Sequence, residues 1–133
     1  MGEARSDQAA VLDFLASPDA YGSVHGKVER IETHASVVFL AGPRAYKLKR
    51  AVKYPFLDFS TLELRHRALL NELRLNRRTA PHLYLEVLPI TLDKGGKFHI
   101  AGQGKIVEWV LVMRRFDQSK LLDRMAEDGR LPL

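Results

Sequence analysis

Cysteine is absent from the 133 residues, so disulfides, thiolate metal sites and a thiol nucleophile are all excluded. Long apolar runs are absent too. The best one, residues 109–113, is strand-sized and far from the roughly 18–20 residues a membrane-spanning helix needs. No signal-peptide pattern opens the chain, so the expected compartment is the cytoplasm and no membrane partner is expected. The first six residues fit a myristoylation pattern in form, but two fixed positions match often by accident. The five histidines are scattered without ligand spacing, which argues against a metal site built from this chain's side chains. No G-x-G-x-x-G occurs, and there is no internal repeat or low-complexity tract.

What is present fits one globular unit. The hydrophobic content of 46% is enough for a single core. Lys and Arg number 21 against 16 acidic residues, a formal charge of +5 that favours anionic partners: phosphates, nucleotides, nucleic acid or acidic lipid heads. The basic residues are interleaved with acidic ones rather than massed in a tail, which argues against nucleic acid.

Ser6 or Asp7 is expected to cap a first helix running to about residue 16, with Val11, Leu12, Phe14 and Leu15 as its apolar stripe and Ser17-Pro18-Asp19 as its stop. Residues 21–27, with two glycines, read as a linker. Residues 28–33 alternate as a strand, 37–40 form a second, and Ala41-Gly42-Pro43-Arg44 is a turn signal into a third at 45–52. Alternation puts Ala45, Lys47, Lys49 and Ala51 on one face of that strand and Tyr46, Leu48, Arg50 and Val52 on the other.

Residues 53–59 read as a loop anchored to the core. Ser60-Thr61-Leu62-Glu63 has a capping-box pattern, with Ser60 as the cap of a helix to about residue 78. Its stripe is Leu62, Leu69 and Leu73, broadened by Ala68 and Leu70, and Ala80-Pro81 ends it. A strand at 83–92 contains Pro89, which points to an edge position or a bend. Asp93-Lys94-Gly95-Gly96 turns into a strand at 97–100, and residues 105–116 form the most apolar strand. Asp117 or Ser119 is expected to cap a short last helix over 120–128.

Few positions invite chemistry. Lys47 and Lys49 share a strand face, where an ammonium can hold phosphate as a point charge; spacing alone does not choose between them, and both also fit a solvated sheet face. Glu72 sits at the border of the helix stripe, where a partly buried carboxylate needs a partner; a nearby arginine on the same helix would also serve. The Thr33–Ser36 segment offers a hydroxyl and amides to a phosphate, but as a motif it is weak and an ordinary hairpin turn is the stronger reading. Asp58-Phe59-Ser60 looks like a metal-binding D-F-G but lies beside the cap and reads as structural. Arg74, Arg77 and Arg78 read as a solvated helix face.

The order of elements resembles the N-terminal lobe of a protein-kinase-like fold. More closely, E-T-H-A-S-V-V-F-L, A-Y-K-L-K-R-A-V, P-F-L-D-F-S-T-L-E, E-L-R-L-N-R-R-T-A-P-H-L-Y-L and V-E-W-V-L-V-M-R-R-F-D resemble the N-terminal part of bacterial aminoglycoside-phosphotransferase-like proteins. Some of that group also carry a P-loop ATPase domain. The likeness covers about residues 20–130. It implies that Lys47, in Ala45-Tyr46-Lys47, holds the α- and β-phosphates of ATP, that Glu72 pairs with it, and that Ala45 lies against the adenine. It also implies a hinge at 112–116, with Met113, Arg114 and Arg115 presenting main-chain groups to the adenine edge, and Ser36 in the turn that replaces the glycine-rich loop. Lys49 is the reserve phosphate ligand.

Nothing matches a catalytic loop with its aspartate and asparagine, or a later metal-binding aspartate, so Mg is expected to be held mainly by residues outside this chain. The expectation is therefore an α+β fold, a twisted, mainly antiparallel sheet of about five strands on one long helix with short flanking helices. Residues 1–27 would be a helix and linker, 28–116 the kinase-like small lobe, and 117–133 the start of a second lobe. The expected function is the ATP-binding small lobe of a phosphotransferase acting on an unknown small molecule, incomplete for catalysis alone. The rivals are a non-catalytic module binding a nucleotide, a protein or a second copy through the cleft face, and a basic nucleic-acid-binding domain.

Overall fold

The computed structural model describes residues 2–22 and 26–115. The expected helix at 120–128, Phe116 and the 117–133 segment lie outside the described residues. The chain runs α1 (Gly2–Ala16), a 3-10 turn (Pro18–Tyr21), β1 (Glu29–Glu32), β2 (Ser36–Ala41), β3 (Arg44–Lys49), β4 (Lys53–Tyr54), β5 (Leu57–Asp58), α2 (Leu62–Arg77), β6 (Tyr84–Leu92), β7 (Phe98–Ile100) and β8 (Lys105–Arg114). It is an α+β fold. Six strands form one antiparallel sheet in the order β1-β2-β3-β8-β6-β7, and β4 with β5 makes a separate two-stranded hairpin.

The meander of β1, β2 and β3 forms because the connections are short and carry the right turn residues. Gly42, at φ +58°, takes the first central position of the β2–β3 turn, and the fixed φ of Pro43 suits the second. Strand alternation then sorts the side chains. Val37, Phe39 and Leu48 with Val110 and Val112 face one way and pack on Val11 and Leu15 of α1. Val38, Leu40 and Ala45 with Leu111 and Met113 face the other way and pack on Leu69 of α2. The two helices therefore cover opposite faces of the sheet. Each fully buried leucine or phenylalanine contributes about 1.5–3 kcal/mol relative to exposure.

Several expectations are corrected. The main sheet has six strands, and the apolar last strand, β8, is central between β3 and β6 because its alternate faces serve both core clusters. Residues 53–59 are not a plain loop; Lys53 pairs with Asp58 and Tyr54 with Leu57 around Pro55 and Phe56. The α2 cap is Thr61, whose hydroxyl accepts from the Leu64 amide, because Ser60 is already bound to Asp58. The α1 backbone begins at Gly2, so positions 6 and 7 lie inside the helix rather than at its cap. Leu70 is 44% exposed and does not belong to the buried stripe. Pro89 is on β6, an internal strand, but stands where its neighbour β7 ends: its carbonyl accepts from the Ala101 amide at 2.7 Å, and a register shift follows at Ile90/Thr91. Ser17 does stop α1, and its side chain accepts from the Asp19 amide as cap of the 3-10 turn.

Candidate functional site

The α2 face of the sheet carries two ammonium groups around one carboxylate. β3 presents Lys47 and Lys49 on this face, beside Val38 and Ser36 of β2 respectively. α2 presents Leu62, Arg65, Leu69, Glu72 and Asn76 at spacings of three and four, which is one helical face. Glu72 thus arrives above β3. Lys47 Nζ lies 2.7 Å from Glu72 Oε2, and Lys49 Nζ lies 2.9 Å from Glu72 Oε1. Each carboxylate oxygen holds one lysine, leaving a net charge of one positive.

The three groups are partly withdrawn from water, with side-chain exposures of 21% for Lys47, 12% for Lys49 and 19% for Glu72. Burial alone would push the Glu72 carboxyl up, but the two ammoniums and their hydrogen bonds together outweigh it and hold it below the usual value. Burial pushes Lys49 down, the neighbouring Lys47 charge pushes it further, and Glu72 offsets only part. The Lys49 ammonium also lies 5.3 Å from the centroid of the Phe59 ring. Such an arrangement can bind an anion: it has excess positive charge, fixed donors and reduced competition from water.

Beneath this triad is a buried polar network that sequence reading did not find. Glu108 of β8 is 1% exposed and Arg65 of α2 is 7% exposed. Arg65 Nε donates to Glu108 Oε1 at 3.0 Å, and its Nη1 donates to the Phe59 carbonyl at 2.9 Å. Glu108 Oε1 also accepts from the Trp109 amide at 3.2 Å. Gln8 of α1 donates to Glu108 Oε2 at 3.1 Å and to the Lys49 carbonyl at 2.9 Å, and accepts from the Ala51 amide at 2.8 Å. One network therefore joins α1, β3, β8, α2 and the segment carrying Phe59. The available signals were Arg65 in helical step with Leu69 and Glu72, and a single carboxylate within the most apolar strand.

The other expected residues fall into place unevenly. Ser36 is next to Lys49 on the same face, but its amide donates to the Thr33 hydroxyl at 3.1 Å, and the Thr33 amide donates to the Ser36 carbonyl at 2.9 Å. Those two amides are spent inside the turn, which corrects the expectation that they face a phosphate. Ala45 is 1% exposed and Met113 7% exposed, so both are core residues of the α2 face. The Arg114 amide donates to the Leu83 carbonyl at 2.7 Å and the Arg115 amide to the Pro43 carbonyl at 2.8 Å. These two amides of the expected hinge thus donate to the residue just before β6 and to the β2–β3 turn. Asp58 Oδ1 accepts from the Ser60 amide at 3.0 Å and its hydroxyl at 2.5 Å, the local structural role expected of it. Arg74, Arg77 and Arg78 are exposed.

The chain is 40% identical over 98 residues to uncharacterized proteins of Mycobacterium tuberculosis and Mycobacterium bovis. The match takes in 74% of this chain but 18% of each relative, so the chain spans about a fifth of the length of the curated relatives it matches. No protein-family profile and no solved structure matches it.

Proposed function

We propose that this chain is the ATP-binding small lobe of a kinase-like phosphotransferase of the small-molecule type. The observation that carries the reading is the 2.7 Å ion pair between Lys47 on a sheet strand and Glu72 on the helix packed over that strand. In the proposal Lys47 neutralises phosphate charge and Glu72 keeps the flexible lysine stem pointed at the site. The site fits the group on charge: two cations against one anion, with Lys47 still 21% exposed and reachable. ATP, when bound, supplies the phosphoryl group to be transferred. Binding and orientation of its phosphates are this chain's part, while the acceptor site and most Mg ligands belong to a second lobe.

Isothermal titration calorimetry with ATP and with ADP tests the reading. The expected result is saturable binding that weakens by about tenfold or more in Lys47→Ala, the loss of one or two charge-assisted hydrogen bonds, with the far-UV circular dichroism unchanged. Wild-type protein that binds neither nucleotide overturns it.

A second reading is a non-catalytic module that grips polyphosphate without seating the base. It is favoured by the engaged amides of Arg114 and Arg115 and the burial of Ala45. Inorganic tripolyphosphate binding as tightly as ATP selects this reading, and a clear preference for ATP selects the first.

A further inference from the structure

A structural ion pair needs one cation for one carboxylate, and this site has two. Lys49 is not a spare lysine extending into water. Its side chain is 12% exposed, its ammonium is 2.9 Å from Glu72 Oε1, and the Phe59 ring lies 5.3 Å away. The groups around it are Lys47 on its own strand, Ser36 across from it on β2, Glu72 on α2 and Phe59 before α2. Arg65, the other buried cation nearby, is paired with Glu108 and donates to the Phe59 carbonyl. An ammonium kept where burial and a like charge both oppose it is costly as mere packing, since an apolar side chain would fill the same place beside Phe59 at no electrostatic cost. The surplus charge is also directional. Lys47 and Lys49 are two residues apart on one strand face, roughly 7 Å between Cα atoms, and their ammoniums converge on the two oxygens of a single carboxylate.

We infer that Lys49 is a second phosphate ligand, so that Lys47 and Lys49 together grip two adjacent phosphoryl groups and the site selects diphosphates over monophosphates. The inference rests on the phosphate-binding reading of Lys47 and adds to it a second residue and a substrate preference. Glu72 then holds both ammoniums at one spacing when no anion is present, so the grip is set before its ligand arrives.

Calorimetric titration of inorganic pyrophosphate and inorganic phosphate into wild type, Lys49→Met, Lys49→Arg and Lys47→Met tests it. Wild type is expected to bind pyrophosphate at least about tenfold more tightly than phosphate. Lys49→Met, which keeps the apolar stem, is expected to lose that preference, and Lys49→Arg, which keeps the charge, to retain much of it. Circular dichroism on each variant verifies the fold. A preference undiminished in folded Lys49→Met, or tighter pyrophosphate binding by it, overturns the inference while leaving the role of Lys47 intact. Wild type that binds neither pyrophosphate nor ADP removes both.

Discussion

Replacing Glu108 with leucine takes the only carboxylate out of a network whose other members stay behind. Arg65, 7% exposed, then keeps its bond to the Phe59 carbonyl but faces an apolar side chain where the carboxylate was. The Trp109 amide loses the acceptor it had at 3.2 Å, and Gln8 keeps only its bonds to the Lys49 carbonyl and the Ala51 amide. Breaking a buried pair by removing one partner costs about 3–5 kcal/mol, because the remaining charge is stranded. A domain of this size has about 5–15 kcal/mol in all, so Glu108→Leu should forfeit about a fifth of the total or more. Urea unfolding followed by circular dichroism should show the midpoint falling by about 1–5 M, at a slope of about 1–3 kcal/mol per M. Arg65→Met alone leaves Glu108 buried with Gln8 and the Trp109 amide, and should cost a similar amount. The double variant removes both charges, and its cost should lie well below the sum of the two, with a coupling of about 2 kcal/mol or more. Single-variant costs that simply add, to within about 0.5 kcal/mol, would refute the account of a stranded charge.

Two further outcomes test the site and the helix that carries it. The Glu72 carboxyl is held below its ordinary 4.5 by two lysines, so its pairing contributes stability above that pH and loses it as the pH falls through the lowered folded-state value. Wild type should therefore lose urea resistance below about pH 4.5 more steeply than Glu72→Gln does, and parallel curves would contradict the shared-carboxylate geometry. Because Thr61 rather than Ser60 caps α2, Thr61→Ala should cost about 1 kcal/mol in the same assay. Ser60→Ala, which removes only the exposed bond to Asp58, should cost less, and the reverse order would return the cap to Ser60.

What could be read from the sequence was whatever short-range geometry determines. Period-two alternation placed Ala45, Lys47 and Lys49 on one face, and helical spacing set Glu72 at the stripe border; the Gly42-Pro43 turn fixed the β2–β3 pairing. The position of β8 was not legible, because no local turn says that a strand more than fifty residues later will pair with β3. Two-residue strands such as β4 and β5 carry no periodicity to detect. Arg65 and Glu108 were missed for a different reason. A charged side chain in a sequence reads as solvent-facing until its partner is known, and here the partners are 43 residues apart. The amides of Ser36, Arg114 and Arg115 were assigned to a ligand because sequence does not show that neighbouring carbonyls and a hydroxyl already occupy them.

Gln8 reaches around the end of the sheet from α1, seals the exit of β3 through the Lys49 carbonyl and the Ala51 amide, and touches the carboxylate that anchors α2. The N-terminal helix is thereby tied to the end of the very strand that carries both lysines. Any displacement of α1 would have to break these three hydrogen bonds, which all converge on one amide side chain.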